Sequence, residues 1–110
     1  MRITLPFHPQ WRAAVLAGSK TTTVRTRRYG APGDTFALDV RAFTLTAVDM
    51  MPLAAARDTV WREEGMSSPE EFERTWAQNH PARGFRASDA VWVHRFARAT
   101  EQDERTNERG

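Results

Sequence analysis

Apolar and polar positions change period several times along the chain, and each change marks an element. Arg2-Ile3-Thr4-Leu5 alternates and predicts a first strand, ended by Pro6. Pro9 suits the first turn of a helix, where a missing N–H does no harm. Trp11, Ala14 and Val15 then recur at helical spacing, and Gly18 is the expected stop, which predicts a helix over about 9–17 with Trp11 in the core. Residues 21–26 are β-branched and predict a strand. On it Thr21, Thr23 and Arg25 share one face, and Thr22 and Val24 the other. Tyr29-Gly30 and Pro32-Gly33 punctuate a loop. Phe36, Leu38 and Val40 alternate in a segment over 35–40, and Phe43, Leu45 and Ala47 in another over 42–50, with a possible bulge near Ala47. No strong turn signal separates these two, so two strands or one long bent strand both fit.

Leu53, Ala56, Val60 and Trp61 return to helical spacing and predict a helix over 53–64, closed by Gly65. Ser68-Pro69-Glu70-Glu71 combines an N-cap, a proline at N1 and an acidic N3, so a further helix starts there, carries Phe72 and Trp76 inward and stops near Asn79-His80-Pro81. Residues 90–97 predict a last strand whose Val91-Trp92-Val93 run suggests burial on both faces. Short strands with helices between them give an α+β class, since the regular alternation of a parallel sheet is missing. One domain over 1–98 follows, with a charged tail over 99–110 that lacks apolar anchors and is expected to be disordered.

Composition narrows the functions. There is no cysteine, which rules out disulfides and Cys-based zinc sites, and the three histidines His8, His80 and His94 form no recognised ligand pair. No metal or cofactor is expected. No stretch has the length of a membrane span or the form of a signal peptide, so a cytoplasmic protein without membrane contact is expected. The formal net charge is only +2 despite a pI near 9.9, so bulk charge says little about partners. Its distribution says more. Arg25, Arg27 and Arg28 crowd one stretch beside Tyr29, a pattern that fits phosphate contact with base stacking, or equally a solvated arginine-rich loop.

The sixteen Lys+Arg residues include a single lysine, Lys20, at the junction of the first helix and the Thr-rich strand. Lysine differs from arginine in that its ammonium can lose its proton when buried. Gly18-x-Lys20-x-x-Thr23-x-Arg25, followed by the Gly33-Asp34 turn, resembles the ASCH domain, a relative of the PUA domain. The acidic step Glu63-Glu64-Gly65-Met66 before a helix bearing Glu71-Phe72 is similar to a second signature of that family, and Val91-Trp92-Val93-His94-Arg95-Phe96 to its closing strand. The resemblance covers about residues 2–97. It implies a small PUA-like mixed β-barrel with helices packed outside.

The family includes small hydrolases that deacetylate N4-acetylcytidine with Lys, Thr and Glu. Those roles fall by motif on Lys20 as base, Thr23 as nucleophile and Glu64 as the group that handles the water or the leaving amine. Only the Gly65-Met66 step selects Glu64 over Glu63. Without the resemblance, Glu64 reads as a solvated helix-end carboxylate, Thr21 and Thr22 as plain strand residues and His94 as a structural side chain. Lys20 and Thr23 would oppose each other on one regular strand, so the scheme needs Lys20 in the turn before it, with its ammonium in reach of the Thr23 hydroxyl. Arg25, Arg27, Arg28 and Tyr29 are the candidate substrate or RNA contacts. The partner classes implied are a modified nucleoside or single-stranded RNA. A non-catalytic RNA-binding module, or a ribonuclease using the same cleft, is the competing reading.

Overall fold

A computed structural model describes residues 1–100. The elements run α1 (Pro9–Ala17), β1 (Thr22–Arg25), β2 (Thr35–Leu38), β3 (Arg41–Pro52), α2 (Leu53–Val60), α3 (Pro69–Asn79) and β4 (Ala90–Arg98). The four strands form one sheet in the order β1-β4-β3-β2, antiparallel throughout. The sheet curls into a half-barrel, an α+β fold with the helices outside it. Outside these strands, Arg2 makes an isolated parallel bridge to Thr35 of β2.

That bridge is what remains of the predicted first strand. The Ile3 N–H reaches the Thr35 carbonyl at 2.7 Å and the Thr35 N–H reaches the Met1 carbonyl at 2.9 Å. Pro6 has no N–H with which to extend the ladder. The open question between β2 and β3 resolves as a two-residue turn, with Leu38 opposite Arg41. Asp39 takes the left-handed conformation there (φ 56°), which Asp tolerates better than most residues. The bulge falls where the register shifts between Leu45 and Ala47. The end of the predicted charged tail lies outside the described residues, although Ala99 still donates to the Ala42 carbonyl.

Two apolar clusters flank the sheet. Val24, Val91 and Val93 pack with Leu53, Ala56, Val60, Phe72 and Trp76 from α2 and α3. Leu5, Val15, Phe36, Leu38, Phe43, Leu45 and Phe96 form the other. The central strand β4 is thus buried on both sides, Val91 and Val93 facing one cluster and Phe96 the other. Of the large residues expected inside, Phe36, Leu38, Phe72 and Trp76 are buried. Trp11, Trp61 and Trp92 are only half-buried. Trp11 differs because it forms the wall of a cleft, and Trp92 because its ring is covered by the Arg28 guanidinium at 5.5 Å instead of by core.

Candidate functional site

Two glycine turns deliver the central residues. Gly18, at φ 85°, ends α1, and the following Ser19 and Lys20 N–H groups both bond back to the Ala14 carbonyl. Lys20 therefore sits in the turn before β1, as the catalytic scheme required. Glu64 lies in the turn after α2, just before Gly65 at φ 85°. Of the predicted helix over 53–64 the regular part ends at Val60, and helical turns carry the chain to Gly65, the Glu64 N–H bonding to the Val60 carbonyl at 2.9 Å and the Met66 N–H to the Trp61 carbonyl at 3.0 Å. The Glu63 carbonyl accepts the N–H groups of Thr21 (2.7 Å) and Thr22 (3.3 Å), which ties this turn to the start of β1.

Lys20 and Glu64 are both buried and form an ion pair, Nζ to Oε2 at 3.0 Å. The Nζ also reaches the Glu64 main-chain carbonyl at 3.5 Å. The same Oε2 accepts the Thr22 hydroxyl, and Oε1 accepts the Val24 N–H at 3.4 Å. This last bond shows that Val24 points its N–H away from β4, toward the open edge of β1. The Glu64 carboxylate thus covers a sheet edge that would otherwise carry unpaired donors. The Trp11 ring lies 5.6 Å from Nζ. Burial pulls the Lys20 pKa below its ordinary value of 10.5, the Glu64 charge and hydrogen bond oppose that shift, and the Arg25 charge adds to it.

The hydrogen bonds of Nζ therefore go to Glu64, and the expected contact with the Thr23 hydroxyl is not among them. Thr22, read from the sequence as a plain strand residue, takes that place, because Lys20 and Thr22 share a parity and Thr23 does not. Thr23 belongs to the same site by another route. The Arg25 Nε donates to its Oγ1 at 2.8 Å. That bond occupies a lone pair of the hydroxyl and leaves its own proton available. β1 is an edge strand, and a cavity of about 450 Å³ wraps around its edge, so Lys20, Thr23, Arg25, Tyr29 and Glu64 all line it although they lie on both faces.

Arg25 is held by the Pro6 carbonyl and lies 5.3 Å from the Phe7 ring and 5.2 Å from the Tyr29 ring. Arg27 and Arg28 do not line the cavity. Arg27 stacks over Tyr29 at 4.4 Å, and its hydrogen bond to the phenol lowers the Tyr29 pKa. Arg28 donates to the Gly30 carbonyl at 2.9 Å. Both are exposed, Arg27 against the cavity-lining Tyr29 and Arg28 over the Trp92 ring. The opposite wall comes from α3, with Phe72 and Trp76 stacked at 6.2 Å. Trp11 and the α3 wall are the site residues that sequence reasoning missed. Their apolar periodicity looks the same for a core helix as for a cleft wall.

His94 braces the site from behind. It is fully buried, with Nε2 accepting the Tyr29 N–H at 3.0 Å and Nδ1 beside the Thr23 carbonyl at 3.2 Å. A carbonyl can only accept, so this pattern assigns the proton to Nδ1 of a neutral ring. Burial holds the His94 pKa below 6.5, and the charges of Arg25 and Arg28 push the same way. The unfolded chain then binds this proton more readily than the folded one. The stability His94 contributes is present above about pH 6.5 and is lost as pH falls through the folded value. Denaturant unfolding at about pH 7.5 and about pH 5 should show a larger loss for wild type than for His94→Gln, which does not titrate. Equal losses would mean that His94 is protonated as easily inside as outside.

Among the described residues, no group of three acidic, His or Cys side chains could hold a metal ion, and no helix is long and apolar enough to cross a membrane. No family model matches the sequence, and no curated protein does. Solved structures do match. The chain is similar to an ASCH domain from Lactobacillus crispatus, with a TM-score of 0.68 and 13% identity over 86% of this chain and 77% of that one. It is similar to an ASCH protein from Zymomonas mobilis, with a TM-score of 0.61 and 10% identity over 98% and 94% of the two chains. A third match is protein EF3133 from Enterococcus faecalis, with a TM-score of 0.65 and 17% identity over 90% and 80%. At such identities the likeness is one of backbone, and it establishes that this chain has the fold of the ASCH domains.

Proposed function

We propose that this cleft binds a nucleoside and hydrolyses an amide on its base, N4-acetylcytidine being the substrate class. The observation that carries the reading is a threonine hydroxyl with its proton available, in one cavity with a buried lysine–glutamate pair. The cavity volume of about 450 Å³ suits a nucleoside-sized ligand, and the rings of Phe7, Trp11 and Tyr29 offer stacking surfaces.

The chemistry runs as acyl transfer. The Lys20 ammonium first loses its proton to solvent, a step that burial of the lysine favours. The neutral amine then exchanges its long contact to the Glu64 carbonyl for the Thr23 hydroxyl and takes that proton as Oγ1 bonds to the acetyl carbon. As that bond forms, the C=O electron pair moves onto the acetyl oxygen, and the Arg25 guanidinium beside Oγ1 offers its positive charge to this oxyanion. The C–N bond breaks, and the Lys20 ammonium protonates the departing amine of cytidine. Water then attacks the acyl-threonine, its proton going to the Lys20–Glu64 pair, and acetate leaves with Thr23 restored.

A second reading rests on the exposed Arg27 and Arg28, and on Arg27 stacked over Tyr29, which lines the cavity. These residues suit phosphates and bases of single-stranded RNA without chemistry, or a ribonuclease step in the same cleft. Acetate release from N4-acetylcytidine and binding of single-stranded RNA, followed in parallel, separate the two. Acetate release by wild type and none by Thr23→Ala supports the hydrolase. A wild type inert on the acetylated nucleoside that still binds RNA replaces it with the binding module.

A further inference from the structure

We infer that the cleft is built for two neighbouring nucleotides, so that its ligand is an oligonucleotide instead of a lone nucleoside; this rests on the nucleoside-binding reading above. A second cavity of about 270 Å³ adjoins the first, where the chain leaves α3 and enters β4. The two share Thr26, Trp76 and His80 as a common wall. A nucleoside in the first cavity has its continuation there, past the end of β1.

The shared wall and the far side carry groups that suit a phosphate and a second base. The His80 ring stacks on Trp76 at 4.1 Å and 19°, so it covers one face of Trp76 and keeps its own outer face for a base. His80 Nδ1 is engaged with the Trp76 carbonyl at 2.9 Å, which fixes the ring against its neighbour. Thr26 is exposed at the junction and brings a hydroxyl. On the far side Arg83 grips Asp89 through Nε and one terminal nitrogen, each at 2.7 Å. Its other terminal nitrogen has no protein partner among the described residues. Its side chain is 61% exposed, and Arg86 nearby is exposed too. A phosphate between the two cavities would meet the Thr26 hydroxyl and the remaining Arg83 donors. The second base would lie on the outer face of His80, which lines the second cavity. No carboxylate stands on the shared wall to repel the phosphate. Asp89 competes for Arg83 from the side.

The test uses the full chain and four probes: cytidine, cytidine 3′-phosphate, cytidine 5′-phosphate and the dinucleoside monophosphate CpC. Binding is read by tryptophan fluorescence or calorimetry. CpC should bind about tenfold tighter than cytidine, in the range that stacking one further base gives. One of the two monophosphates should recover part of that gain and so report the strand direction. Arg83→Ala should remove most of the CpC advantage and leave cytidine affinity unchanged. Asp89→Asn, which releases Arg83 and removes a negative charge, should tighten CpC and the better-bound monophosphate but not cytidine. CpC binding no tighter than cytidine, or Arg83→Ala weakening both probes alike, overturns the second subsite. If wild type then still hydrolyses N4-acetylcytidine, only this inference falls. If wild type neither binds cytidine nor releases acetate, the nucleoside reading falls with it.

Discussion

Glu64→Ala should destabilise the fold by about 3–5 kcal/mol, the range for breaking a buried ion pair from one side. The loss has three parts. The Lys20 ammonium keeps its burial and loses the partner at 3.0 Å. The Thr22 hydroxyl loses its acceptor, and the Val24 N–H on the β1 edge loses Oε1. A buried donor left unpaired costs about 1–3 kcal/mol. Lys20 limits the damage by releasing its proton, since burial already favours the amine. The decisive comparison is with Lys20→Met combined with Glu64→Gln. Glutamine keeps an oxygen for the Val24 N–H, and the methionine removes the charge, so the double variant should unfold well after Glu64→Ala. Replacing both members of a buried pair is often nearly neutral. A Glu64→Ala variant as stable as wild type in denaturant would show that this carboxylate does not hold the edge of β1 to the α2 turn.

Lys20→Arg should reduce kcat by at least about a hundredfold, the lower end of what a positioned general base contributes. Arginine keeps the charge opposite Glu64, but its guanidinium does not give up a proton near neutral pH. A role in holding phosphate would tolerate the exchange, so binding of single-stranded RNA should change little. The pH profile adds an independent sign. Burial sets the Lys20 pKa below 10.5, so the wild-type rate should rise with pH through a limb below that value as the amine is freed. That limb should be missing from whatever activity the variant retains. A variant with wild-type kcat and the same ascending limb would remove Lys20 as the base.

The helices were legible because their ends are written in short-range chemistry. Ser68 accepts the Glu71 N–H as an N-cap should, and the Glu71 carboxylate reaches back to Ser67, one residue upstream of the usual box. Gly18 and Gly65 end their elements at positive φ because only glycine takes it without strain. The strand order was not legible. β1 pairs with β4 through contacts such as Thr23 with His94, far apart in the chain, and no local pattern encodes such a pairing. The Asp39 turn was missed because the signals sought were Gly and Pro, and Asp enters the left-handed region without either.

The site divides in the same way. The sole lysine and the Gly65-Met66 step pointed to Lys20 and Glu64, 44 residues apart, and the structure brings them to 3.0 Å. The assignment of the Lys20 hydrogen bond to Thr23 failed on strand geometry. Side chains two apart share a face, so Thr22 is the one that follows Lys20 to Glu64. Thr23 enters the cavity because β1 lies at the sheet edge, and that position depends on the whole topology. Arg25, picked out as a substrate contact, lines the cavity and holds the Thr23 hydroxyl, whereas Arg27 and Arg28 are exposed and do not line it.

The central claim is that Thr23, in the cavity it shares with the Lys20–Glu64 pair, attacks an amide on a nucleoside base. The most direct measurement is acetate release from N4-acetylcytidine by wild type, Thr23→Ser and Thr23→Ala, with all three shown to be folded by their unfolding transitions. Thr23 is buried but its hydroxyl holds only the Arg25 contact, so the serine variant keeps the chemistry in a looser setting. The expected result is turnover by wild type, reduced turnover by Thr23→Ser and none by Thr23→Ala. Thr23→Ala releasing acetate as fast as wild type would contradict it.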